Sequence, residues 1–118
     1  MKKKENNGTN PYIDQTKCPI VYAMEIIGSK WKLPILWNLM QEDGLHYNEI
    51  RRRIKGITNT MLSKCLKELE RSELISRHSY ETIPPSVSYH LTELGKQLIP
   101  SLNTLYTWGE THITTTNF

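Results

Sequence analysis

Apolar residues recur along this chain in two rhythms. From Pro19 to Gln41, and again from Tyr47 to Leu69, they fall three and four residues apart. Between Leu74 and Leu91 they alternate with polar residues. The first spacing lines one face of an α-helix and the second lines one face of a strand. The pattern predicts four helices, a hairpin and a last helix.

The first helix starts at Pro19, with Ile20, Ala23, Met24 and Ile27 on one face and Gly28 at its end. Proline suits a first helical position, where its missing N–H costs nothing. A second helix spans Ser29 to Gln41 on Trp31, Ile35, Leu36, Leu39 and Met40, with Pro34 set deep enough to delay or kink its first turn. A third runs from His46 to Ile54, with Tyr47, Ile50 and Ile54 inward. Gly56 breaks it, and Thr58 caps a fourth whose buried stripe is Leu62, Cys65, Leu66 and Leu69.

Residues 74–80 and 86–91 read as two strands, joined by a Pro84-Pro85 segment that cannot sit inside a sheet. Arg77, His78 and Tyr80 are expected near the tip of this hairpin. Thr92 caps the last helix, which carries Leu94, Leu98, Ile99, Leu102, Leu105, Tyr106 and Trp108 and is expected to bend at Pro100. The polar residues 1–14 are expected to be a disordered tail, 15–113 one domain, and 114–118 a C-terminal tail.

Composition narrows the class. The 118 residues are 37% hydrophobic, enough for one modest core. No apolar run approaches the ~20 residues of a membrane span, so no membrane partner is expected. The basic start Met1–Gly8 is followed by no apolar segment, which makes a cytoplasmic protein the expectation. Two cysteines make neither a disulfide scaffold nor a four-ligand zinc site. His46, His78, His90 and His112 lack metal-ligand spacing, so no metal is expected. No nucleophile–base pair or glycine-rich phosphate loop is present, and neither an enzyme nor a cofactor is expected.

Charge adds a direction. The net charge is only +3, yet residues 51–77 hold eight basic and three acidic side chains, a local excess that fits a polyanion partner. A solvated charged face would look the same by charge alone.

The order of elements favours the polyanion. Two short helices around a tight glycine turn, followed by a hairpin, is the layout of a winged helix-turn-helix. The expected fold class is α+β, mainly α, with a two-stranded hairpin wing and flanking N- and C-terminal dimerisation helices. In that layout the fourth helix enters a DNA major groove by its N-terminus, and the third crosses the phosphate backbone. Asn59, Thr60, Ser63, Lys64 and Lys67 then face double-stranded DNA. Lys64 and Lys67 suit phosphates or guanine edges, and Asn59 suits adenine. Consecutive helical positions differ by ~100°, so Arg51, Arg52 and Arg53 cannot all meet DNA; Arg52 is the candidate. Arg77 on the wing is a phosphate contact, and His78 beside it is a further candidate.

Several stretches carry a family resemblance: Cys18-Pro19, Gly28-Ser29-Lys30-Trp31, Tyr47-Asn48-Glu49-Ile50-Arg51-Arg52, Gly56-Ile57-Thr58, Leu66-Lys67-Glu68-Leu69-Glu70, Ile83–Tyr89, Leu91–Gly95 and Trp108-Gly109. Over about residues 18–112 the chain resembles the HxlR-type bacterial winged-helix transcription regulators, related to the MarR group. The resemblance implies DNA binding, a homodimer and transcriptional control, often repression. Thr58-Asn59-Thr60 stands where that family often has Ser-Pro-Arg, which removes one basic contact. The first and last helices are the dimerisation candidates, because their apolar stripes exceed what a small core buries. A two-fold axis then favours a palindromic operator.

Cys18 sits beside Lys17 and before a helix N-terminus, both of which favour the reactive thiolate. Some regulators of this family sense quinones, aldehydes or disulfide stress at such a cysteine, so a small electrophile or oxidant acting at Cys18 is a further candidate partner. A small residue near a dimer contact is the plainer reading. Cys65, on the inward stripe, is expected to pack. A different class, a winged helix that binds an acidic protein and no DNA, also stays open at this point.

Overall fold

The computed structural model describes residues 18–113. The elements run α1 (Pro19–Ile27), α2 (Lys32–Gln41), β1 (Leu45–His46), α3 (Tyr47–Arg53), α4 (Asn59–Arg71), β2 (Ile75–Tyr80), β3 (Ser86–Leu91), α5 (Glu93–Lys96) and α6 (Ile99–Ile113). The tails expected at 1–14 and 114–118 lie outside the described residues.

Pro19 opens α1, and the Gly28 N–H closes it on the Met24 carbonyl at 2.8 Å. The second helix starts three residues later than its apolar pattern predicts. Lys32 is its first residue, so Pro34 occupies the first turn, where a helix N–H has no intrahelical acceptor to lose. The Asn38 side chain donates to the Pro34 carbonyl at 2.8 Å one turn on.

The sheet has three strands rather than the two of the hairpin alone, in the order β1-β3-β2. Leu45 and His46 pair with Tyr89 and Ser88, and β2 pairs with β3 from Ile75↔Leu91 to Tyr80↔Ser86. Because strand side chains alternate, Leu45, Ile75, Tyr89 and Leu91 share the face that meets the helices. His46, Ser76, His78, Ser88 and His90 share the other.

The core is the meeting point of α2, α3, α4 and the sheet. Ile35, Leu36, Leu45, Ile50, Leu62 and Leu69 are fully buried there. Gly56 (φ +89°) makes the turn between α3 and α4 in a backbone conformation that side chains other than glycine rarely adopt.

The last helix is two helices. The chain breaks at Gln97-Leu98, and Pro100 lies in the first turn of α6, so it bends nothing. Thr92 caps α5, accepting the Gly95 N–H at 3.0 Å. A Cβ on Gly95 would stand 2.2 Å from the Leu74 carbonyl, which shows how closely α5 is pressed to the start of the sheet. On α6 only Leu102 is buried; Leu105, Tyr106, Trp108 and Ile113 are at least half exposed.

Candidate nucleic-acid interface

The helix-turn-helix is anchored at both of its starts. The His46 main-chain N–H donates to Glu49 Oε1 at 2.8 Å, and this bond, before any other influence, holds the Glu49 carboxyl below its ordinary range. Thr58 Oγ1 accepts the Met61 N–H at 3.1 Å and fixes the first turn of α4. Tyr47 joins the two helices: its hydroxyl lies 3.1 Å from Asn59 Oδ1 and 3.2 Å from Ser63 Oγ.

A buried cation holds α4 from behind. Lys32 is only 7% exposed. Its Nζ donates to Glu68 Oε1 at 2.9 Å and to the Ile26 carbonyl at 3.1 Å. The hydrogen bond from Lys32 is the main reason the Glu68 carboxyl is held below its ordinary range. One ammonium thus ties α4 to the end of α1.

With its back fixed, α4 presents Asn59, Thr60, Lys64 and Lys67 to solvent, while Ser63 is half-buried beside Tyr47. Lys64 and Lys67 have no ion pair among the described residues. On α3, Arg53 is drawn back to Glu42 at 2.7 Å, whereas Arg51 and Arg52 stay exposed without an ion pair among the described residues.

The wing divides its two candidate residues. Arg77 pairs with Tyr89 and His78 with Ser88, in the middle of the ladder and away from the tip at residues 81–85 where they were expected. Arg77 faces α4 and lines a cleft of about 470 Å³ with Tyr47, Ser63, Lys67 and Glu70. His78 lies on the opposite face, its ring 4.4 Å from that of His90. So Asn59, Thr60, Ser63, Lys64, Lys67 and Arg77 come together around α4, with Arg52 on the neighbouring helix and His78 apart. Cys18 is exposed at the N-cap of α1, and Cys65 is buried on the inward face of α4.

Sequence reasoning missed two parts of this site. The pattern sets Tyr47 inward with Ile50 and Ile54, and its ring does pack against the core, but the pattern does not reveal the partners its hydroxyl needs. Lys32 was not singled out. Its position one turn before the buried Ile35 and Leu36 is the signal that points it inward.

A capped helix held from behind, with an exposed polar and basic face beside a hairpin, defines a winged helix-turn-helix DNA-binding protein. Residues 26–117 match the HxlR-like helix-turn-helix family, and the chain belongs to it. It is similar to the regulatory protein MalR of Fusobacterium mortiferum, 45% identical over 95 residues that cover 80% of this chain and 89% of that one. It is also similar to the solved structure of a MarR-family transcriptional regulator from Porphyromonas gingivalis W83, at TM-score 0.76 and 34% identity over 83% of this chain and 95% of that one. The redox regulator HypR in its oxidized form matches at TM-score 0.76 and 36% identity, over 80% of this chain and 96% of that one. The protein is a DNA-binding transcription regulator and not an enzyme.

Proposed function

We propose that the protein is a homodimeric, sequence-specific repressor that places α4 of each subunit in a major groove of a palindromic operator. The observation that carries this reading is the exposed polar and basic face of α4, a helix held in place by Thr58, Tyr47 and Lys32. Asn59, Thr60 and Ser63 read or approach base edges, and Lys64, Lys67, Arg52 and Arg77 meet phosphates or guanine. His78, on the opposite face of the wing beside His90, meets the backbone where the wing lies along it. The protein acts in the cytoplasm, where its operator is.

The dimer reading rests on α1 and α6. Ile20, Val21, Tyr22 and Met24 on one, and Leu105, Tyr106 and Trp108 on the other, are all about half exposed or more. So much exposed apolar surface on the first and last helices fits a covered interface.

Cys18 supplies a chemical input. An exposed thiol at a helix N-cap, in a chain similar to a redox regulator, supports a regulator whose operator affinity falls when Cys18 is modified. With a quinone, the sulfur adds to a ring carbon: the S–H bond and a ring C=C π bond break, an Sγ–C bond forms, and the electron pair and the proton end on the quinone oxygen.

Gel-shift titration against fragments from around its own gene tests the reading. Affinity is expected to fall steeply with salt, because phosphate neutralisation releases counterions. Binding that ignores salt, or no preference for any fragment, defeats it. Cys18→Ser is expected to abolish the response to a quinone; an unchanged response removes Cys18 from the scheme.

A further inference from the structure

Tyr47 opens α3, and its phenol lies across the start of α4. The hydroxyl oxygen is 3.1 Å from Asn59 Oδ1, 3.2 Å from the Asn59 main-chain oxygen and 3.2 Å from Ser63 Oγ. A phenol has one proton to give. Neither Asn59 oxygen carries a proton, so Tyr47 donates to Asn59, and the Ser63 hydroxyl donates to the Tyr47 oxygen. The one phenol proton is shared between the two Asn59 oxygens in a three-centre bond, with Oδ1 the nearer.

The consequence falls on the exposed carboxamide of Asn59. A free asparagine pairs with adenine by accepting from N6 and donating to N7. Here the oxygen already accepts from the Tyr47 hydroxyl, which leaves the amino group to lead in a contact with a base. A donor in the lead matches guanine best, which presents two acceptors, O6 and N7; adenine sets an N6 donor beside its N7, and thymine has O4 alone beside a methyl group. The tyrosine ring itself is half-buried and lines the cleft behind α4 with Ser63, Lys67 and Arg77.

The geometry points to Tyr47 as a specificity-determining positioning residue: it fixes which end of the Asn59 carboxamide meets the groove, and so sets the base that α4 prefers. This rests on the reading of α4 as the helix that enters DNA. Nothing in the role requires Tyr47 to touch DNA.

The test is binding-site selection from a randomised duplex pool with four proteins: wild type, Tyr47→Phe, Asn59→Ala and the double variant. Phenylalanine keeps the ring and removes only the hydroxyl; thermal midpoints measured alongside confirm that all four are folded. Wild type is expected to prefer guanine at the position that Asn59→Ala loosens. Tyr47→Phe is expected to weaken that preference about fivefold, the worth of one hydrogen bond. Preferences elsewhere and the salt dependence stay unchanged. In the Asn59→Ala background Tyr47→Phe adds nothing, as a residue acting through Asn59 requires.

An adenine preference in wild type at that position, an unchanged profile in Tyr47→Phe, or a loss that persists without Asn59 overturns the inference. A wild-type protein with no base preference anywhere is a separate result. It overturns the DNA reading itself, and this inference with it.

Discussion

Glu73 holds a left-handed backbone, with φ 65°, at the end of α4. The Glu73 N–H bonds the Glu70 carbonyl at 2.9 Å and the Leu74 N–H bonds the Leu69 carbonyl at 3.1 Å, the paired contacts of a Schellman end. Glycine usually fills that place, because a side chain costs roughly 1 kcal/mol there. Glu73→Gly is therefore expected to stabilise the protein by about 1 kcal/mol in denaturant titrations. A loss of stability would show that the Glu73 side chain does more than tolerate the turn.

The Lys32–Glu68 pair supports a prediction of unequal loss. Removing Glu68 leaves a buried ammonium that still donates to the Ile26 carbonyl but has lost its counter-charge. Removing Lys32 leaves a carboxylate whose side chain is 34% exposed and can turn to water. Glu68→Ala is expected to lower the melting temperature more than Lys32→Met does. The same pair sets a pH dependence. Because the folded Glu68 carboxyl is held below its ordinary value of 4.5, its stabilising contribution is complete above that value and lost as pH falls through the lowered one. The melting-temperature gap between wild type and Glu68→Gln is expected to close as pH is taken below 4.5. A gap that widens in acid would reverse the sign and exclude the pair as its cause.

At the scale of elements, helices with a long apolar stripe were legible in the sequence, and those whose limits depend on distant partners were not. The stripe of Leu62, Cys65, Leu66 and Leu69 located α4 and its outer face together, since one fixes the other. Leu45 and His46 are too few to show a period; they are a strand because Tyr89 and Ser88 lie opposite. Leu94, Leu98, Ile99 and Leu102 keep helical spacing through the break at Gln97-Leu98, so periodicity joined α5 to α6 and laid the blame on Pro100. The candidate site divides in the same way. Asn59, Lys64 and Lys67 follow from position on one helix, whereas Tyr47 reaches partners 12 and 16 residues away that no local pattern reveals. The outer face of α4 carries its own prediction. Lys64→Ala is expected to weaken operator binding and to reduce the slope of log affinity against log salt by about 0.9, the share of one phosphate contact. A slope that does not move, with affinity lost, would reassign Lys64 from phosphate to a base edge.

At the scale of the molecule, the exposed polar face of α4 and the exposed apolar residues of α1 and α6 belong to different elements. Trp108 is 63% exposed on α6, and its ring stacks on His112 at 4.4 Å within the same helix. Replacing it with glutamate places a charge in the proposed interface while leaving the buried Leu102 contact to the core in place. Trp108→Glu is expected to remain folded by circular dichroism and to sediment as a monomer. A monomer still has α4 and its basic face, so it should keep weak, salt-dependent binding to any duplex. What it loses is the second half-site, whose simultaneous engagement multiplies affinity by 10² or more. Specific affinity for a palindromic operator should therefore fall at least about a hundredfold, while affinity for an isolated half-site stays near that of wild type. A folded monomer that binds the palindrome as tightly as wild type would show that one subunit reads the operator alone, and that the exposed faces of α1 and α6 serve something other than pairing on DNA.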